Sequence, residues 1–122
     1  MIQLLIVEDE ERPANLLKGF FEVQGFAVQV ALSGEQALQA LEQCQPHVLL
    51  LDLNLEGSRV SGLEVLAATK QRSPKTAVFI ASGYTEKAYK DEASRLGADR
   101  YFEKPLPLAE LLEAIQAAAN RP

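Results

Sequence analysis

Val48-Leu49-Leu50-Leu51-Asp52 is apolar at four consecutive positions and ends on a lone carboxylate. A strand with one wet face alternates, whereas a run apolar on both faces belongs inside a parallel sheet covered on both sides. Two more runs share this character, Leu4-Leu5-Ile6-Val7 before it and Ala77-Val78-Phe79-Ile80-Ala81 after it. Phe26-Ala27-Val28-Gln29-Val30 alternates better and suits a strand nearer an edge, and Arg100-Tyr101-Phe102 supplies a short fifth.

Amphipathic stretches separate the runs. Pro13 fits the first turn of a helix reaching about Gln24, with Leu16, Leu17 and Phe20 on its apolar face and Gly25 as its stop. Ser33-Gly34-Glu35-Gln36 and Ser61-Gly62-Leu63-Glu64 both read as capping boxes, in which two side chains satisfy two free backbone N–H groups reciprocally. Thr85 is placed to cap a fourth helix that ends at Gly97 and has only Ala88, Ala93 and Leu96 to bury, so it should be the most loosely held. A fifth helix starts near Pro107, with Leu108, Leu111, Leu112 and Ile115 at helical spacing, and stops at Asn120.

Five such βα units in 122 residues predict one α/β domain, a doubly wound five-stranded parallel sheet with right-handed crossovers. Of the common strand orders, the flavodoxin-like 2-1-3-4-5 suits a (βα)5 chain, and it places ligands outside the carboxyl ends of strands one and three.

The net charge of -5 argues against direct nucleic-acid binding, because the average surface repels phosphate. No apolar run approaches the roughly 20 residues that span a bilayer, and Glu8 to Arg12 break the N-terminal run too early for a signal peptide. Cys44, the single cysteine, has no internal partner. Together these predict a cytoplasmic protein without membrane contact. Met1 followed by an immediate apolar run reads as a native start, whereas Arg121 and Pro122 are either a natural end or the first residues of a linker.

The chemistry gathers at the predicted carboxyl edge. Strand one ends in Glu8-Asp9, strand three in Asp52 and strand four in Ser82-Gly83, while Lys104-Pro105 follows strand five. Two like charges about 4 Å apart repel by about 4 kcal/mol at an effective dielectric of 20. Three facing carboxylates therefore call for a cation. Every candidate donor is an oxygen, and His47 and Cys44 lie at the opposite end of strand three, so Mg²⁺ fits better than zinc. With that charge and Lys104 beside it, Asp52 becomes a carboxylate nucleophile for phosphoryl transfer, and Ser82 can donate to a phosphoryl oxygen.

Glu8-Asp9, Asp52 after Leu49-Leu50-Leu51, Ser82-Gly83, and Gly97-Ala98-Asp99 leading to Lys104-Pro105 together resemble response-regulator receiver domains, the switch modules of two-component signalling. The resemblance covers the whole chain, 1–122, as a single receiver domain, with any output domain lying beyond Pro122. It implies that Glu8, Asp9 and Asp52 hold Mg²⁺ with the backbone carbonyl of Asn54, and that Asp52 is the phosphorylation site. It also implies that Ser82 and Lys104 contact the phosphoryl group, that Tyr101 is the switch aromatic, and that Lys104-Pro105 is cis. The implied partners are a sensor histidine kinase or phosphotransfer protein, an output domain or downstream protein, and a second copy through the fourth helix, fifth strand and fifth helix. Two positions depart from the common pattern. The segment 54–62 is longer and lacks the usual proline, and Ser82 stands where threonine is commoner.

Plainer readings exist for each residue. Asp52 alone is a turn cap, Glu8-Asp9 a helix cap, Tyr101 a core aromatic, His47 an exposed residue at a strand start and Cys44 inert. The competing functions are weaker. A flavodoxin-like cofactor site lacks a phosphate loop after the first strand, an aspartate-nucleophile phosphatase would carry its acid pair on the first strand, and a degenerate receiver would be missing a side chain.

Overall fold

Successive side chains of a strand point to opposite faces, and here both faces are apolar. Along β1 (Gln3–Val7), Leu5 and Val7 join one core cluster, Leu4 and Ile6 the other. β3 (Val48–Asp52) and β4 (Ala77–Ser82) divide in the same way, with Leu49, Leu51, Val78 and Ile80 on the first side and Val48, Leu50, Ala77 and Phe79 on the second. Each face therefore needs its own helices. The computed structural model describes residues 1–84 and 86–121 and supplies them. α2 (Gly34–Gln43), α3 (Gly62–Arg72) and α4 (Lys87–Arg95) cover the first face through Ala37, Leu41, Val65, Leu66 and Ala93. α1 (Glu11–Val23) and α5 (Leu108–Ala119) cover the second through Phe21, Leu111 and Ile115. With β2 (Ala27–Ala31) and β5 (Arg100–Glu103) as edges, the sheet is parallel throughout in the order β2-β1-β3-β4-β5, the doubly wound arrangement expected. No described helix is long and apolar enough to cross a membrane.

Several local expectations are corrected. Leu16 is 70% exposed instead of facing the core. Ala14 and Phe21 set the buried face of α1, and at about 100° per residue Leu16 stands nearly opposite Ala14. Ala88 is exposed as well, leaving Ala93 as the buried residue of α4. In α5, Leu111 and Ile115 are fully buried whereas Leu108 is 37% exposed at the first turn. The Ser61/Glu64 capping box closes on both sides. At Ser33 only half forms, because Gln36 Oε1 accepts the N–H of Leu32 in place of that of Ser33. Thr85 lies outside the described residues; Glu86 precedes α4 without a side-chain cap.

Candidate functional site

Strand register assembles the cleft. Val7 pairs with Leu51 and Asp52 with Ala81, so Glu8, Asp52 and Ser82 follow one another across three strands. Ser82 pairs with Glu103, and the next residue, Lys104, donates its N–H to the Ser82 carbonyl at 2.8 Å. The Lys104-Pro105 bond is cis. α3 begins hard against the end of β3 because Gly62 has no side chain; a Cβ there would stand 2.7 Å from Leu53 Cα and 2.9 Å from the Asp52 carbonyl oxygen.

Glu8, Asp9 and Asp52 each bring a carboxylate oxygen within 4.8 Å of the others. Glu8 and Asp52 are buried, and Asp9 is half-buried at the rim. Lys104 Nζ donates to Asp52 Oδ2 at 2.9 Å and to Glu8 Oε1 at 3.2 Å. One ammonium against three carboxylates leaves an excess of negative charge. Burial, a hydrogen bond with Asp9 and the charge of Asp52 push the Glu8 carboxyl up to about 7, against the pull of Lys104. For Lys104, burial works to lower its value, but the hydrogen bond and charge of Asp52, with Glu8 behind them, outweigh it and hold the ammonium above the usual lysine value. The donors are all oxygens in one concave edge, a set suited to a hard cation that keeps several waters. His47 is exposed at the other end of β3, where its Nδ1 accepts the Gln3 N–H at 2.9 Å. Cys44, half-buried just after α2, donates to the Ala40 carbonyl.

The remaining expected residues meet at a group that no sequence pattern singled out. Ser82 is fully buried, and its Oγ accepts the Tyr84 N–H at 2.9 Å. Tyr101 is half-buried against the first core cluster, and its hydroxyl donates to the Tyr84 carbonyl at 2.7 Å. The backbone of Tyr84 thus stands between the two. A serine bonding the backbone two residues on is a local turn habit that the sequence does allow; the bond from Tyr101 is not local and leaves no such signal. The Tyr84 ring in turn stacks on Tyr89, with centroids 4.5 Å apart, and Lys90 lies over Tyr101 while pairing with Glu103.

On the other side, the Asn54 N–H donates to Asp52 Oδ1 at 2.9 Å and the Glu56 N–H to Asp9 Oδ2 at 3.1 Å. Farther along the same loop, Ser58 and Val60 are bound to Glu35 at the start of α2. Glu56, Ser58 and Glu35 were also missed, since their partners are brought together only by the fold.

The response regulator receiver domain family matches residues 4–116. A putative response regulator described as NtrX-like, from Rickettsia bellii, is 34% identical over 120 residues, which are 98% of this chain and 25% of that protein. The receiver domain of NtrX from Brucella abortus has a TM-score of 0.89 at 29% identity, over 98% of this chain and 99% of that one. A response regulator protein from Burkholderia pseudomallei, solved with a phosphorylated aspartic acid, a calcium ion and citrate, has a TM-score of 0.89 at 28% identity, over 98% of this chain and 69% of that one. The chain spans about a quarter of the length of the curated relatives it matches first. Family match, sheet order and the acidic carboxyl edge agree: this chain belongs to the response regulator receiver domains.

Proposed function

We propose that this receiver domain takes a phosphoryl group onto Asp52. The observation that carries the reading is Lys104 Nζ held 2.9 Å from the Asp52 carboxylate, with the oxygens of Glu8 and Asp9 alongside. The residues suited to hold Mg²⁺ are Glu8, Asp9 and Asp52 with the Asn54 carbonyl; when bound, the ion would supply charge neutralisation for the transferring group. A carboxylate oxygen of Asp52 forms the new O–P bond as the donor's N–P bond breaks, and the departing imidazole nitrogen takes a proton. Lys104 follows the developing charge on the phosphoryl oxygens. Ser82 then exchanges the Tyr84 N–H for a phosphoryl oxygen, to which it donates. That exchange acts on the same Tyr84 backbone that receives Tyr101, and so reaches α4, β5 and α5, the face we assign to an output domain, a downstream protein or a second copy.

The phosphodonor, a histidine kinase or phosphotransfer protein, has a place beside the cleft. A groove of about 360 Å³ runs between Pro13, Leu16 and Leu17 of α1 and Pro105, Leu106 and Leu108, with Glu8 and Lys104 at its rim. The exposed Leu16 that local periodicity misplaced lines this groove.

Incubation with acetyl phosphate and Mg²⁺, followed by intact mass, tests the chemistry. One phosphoryl group should be added, labile to base and to hydroxylamine as an acyl phosphate is, and Asp52→Ala should take up none. A base-stable adduct, or one retained in Asp52→Ala, would place the acceptor elsewhere. Asp9→Ala should weaken Mg²⁺ binding strongly and Glu8→Ala less; unchanged affinity in Asp9→Ala would remove the cation site.

A further inference from the structure

The loop of residues 53–61 is pinned at both ends. Near the cleft, its amide groups hold carboxylates: the Asn54 N–H binds Asp52 and the Glu56 N–H binds Asp9 at 3.1 Å. Farther along, it is locked to the first turn of α2. The Gly34 N–H donates to Ser58 Oγ at 2.9 Å, and Ser58 Oγ lies 2.7 Å from Glu35 Oε1 and 2.6 Å from the Val60 carbonyl. The Val60 N–H donates to the same Glu35 oxygen at 2.9 Å. Backbone contact is close as well, since a Cβ on Gly34 would stand 2.4 Å from the Val60 carbonyl oxygen. Hydrogen bonds from Ser58 and then Val60 hold the Glu35 carboxyl below the usual carboxylate range. A continuous path of bonds and a few backbone residues therefore joins Glu35, which is remote from the chemistry, to Asp9.

We propose that Ser58 and Glu35 are positioning residues for the cation site. They anchor the loop so that the Asp9 carboxylate and the Asn54 carbonyl are presented in one arrangement. The inference rests on the reading of Glu8, Asp9 and Asp52 as that site. A cation held by few protein oxygens gains little from each, so freedom left in the loop that carries them subtracts directly from affinity. Releasing the far anchor frees both the carbonyl and the amide group that steadies Asp9.

The test is a Mg²⁺ titration followed by ¹⁵N–¹H NMR of the amides at residues 52–56, in the wild type, Ser58→Ala, Glu35→Gln and the double variant, with spectral dispersion verifying the fold. Each single variant should bind Mg²⁺ about 3- to 10-fold more weakly, the loss of about one hydrogen bond's net contribution. The double variant should be no worse than the weaker single, because the two residues form one network. Ser58→Thr, which keeps the hydroxyl, should restore affinity to near the wild-type value. A second measurement needs no variant. Coupling between sites is reciprocal, so Mg²⁺ should slow hydrogen exchange at the Gly34 and Val60 amides by a similar factor in the wild-type protein. Wild-type affinity in both single variants, or unchanged exchange at Gly34 and Val60 on saturation, would overturn the inference and leave the anchor purely structural. If Asp9→Ala also bound Mg²⁺ normally, the cation site itself would be wrong, which is a different failure.

Discussion

On the α2 side of the cleft, the loop of residues 53–61 is tied by Ser58 to Gly34, by Val60 to Glu35 and by Glu56 to Asp9. On the other side, α4 buries Ala93 alone, starts without a side-chain cap, and carries its ion pairs Lys87–Asp91 and Arg95–Glu92 in solvent. Exposed pairs of that kind contribute little, whereas a hydrogen-bonded anchor against close-packed backbone resists displacement. The two walls therefore suit different work. The anchored wall carries the atoms that we propose bind a cation. In the switch proposed above, the loose wall shifts when Ser82 changes partner; it is held to β5 by the hydroxyl-to-carbonyl bond from Tyr101 to Tyr84 and by the Lys90–Glu103 ion pair.

The widest contrast should appear in local opening. Hydrogen exchange should reach the amides of α4 at an opening free energy far below that of α3, whose Val65, Leu66 and Thr69 are fully buried, a spread of several kcal/mol. Equal protection in the two helices would erase the comparison. Next in size is overpacking of the anchor. Gly34→Ala should lower the unfolding free energy in urea by about 1–3 kcal/mol, since the new methyl meets the Val60 backbone. Lys87→Ala on α4 should change it by about 0.5 kcal/mol or less. Between those two lies Tyr101→Phe, which removes the donor to Tyr84 and should cost about 0.5–1.5 kcal/mol, with the Tyr84 amide as the NMR reporter.

The smallest effect is a pH signature of the anchor. The Glu35 carboxyl is held below its ordinary value of 4.5 by Ser58 and then Val60. A depressed acid stabilises the fold above its unfolded value and loses that contribution as pH falls through the folded one. The stability difference between wild type and Glu35→Gln should therefore be constant at neutral pH and should change as pH drops from about 4.5 downward. A difference that stays flat to low pH would mean that the carboxylate is not what Ser58 and Val60 hold.

The alternation of five apolar runs with five amphipathic stretches was enough to specify a parallel sheet covered on both faces, because strand and helix periods are local properties of the chain. It was also enough to bring Glu8, Asp9, Asp52, Ser82 and Lys104 together, since a βα repeat sends every strand's carboxyl end to the same edge. Periodicity failed where a residue's surroundings come from distant chain. Leu16 looks like core in its own helix, yet it is 70% exposed on the groove beside Leu106 and Leu108. The bonds from Glu35 to Ser58 and from Tyr101 to Tyr84 span 23 and 17 residues, and residues of those types are equally at home facing water. The sequence by itself determined which chemistry would face which edge of the sheet. Only the tertiary structure decided which wall of the cleft is fastened and which is lightly packed, because that depends on partners met across crossovers, where no local pattern reaches.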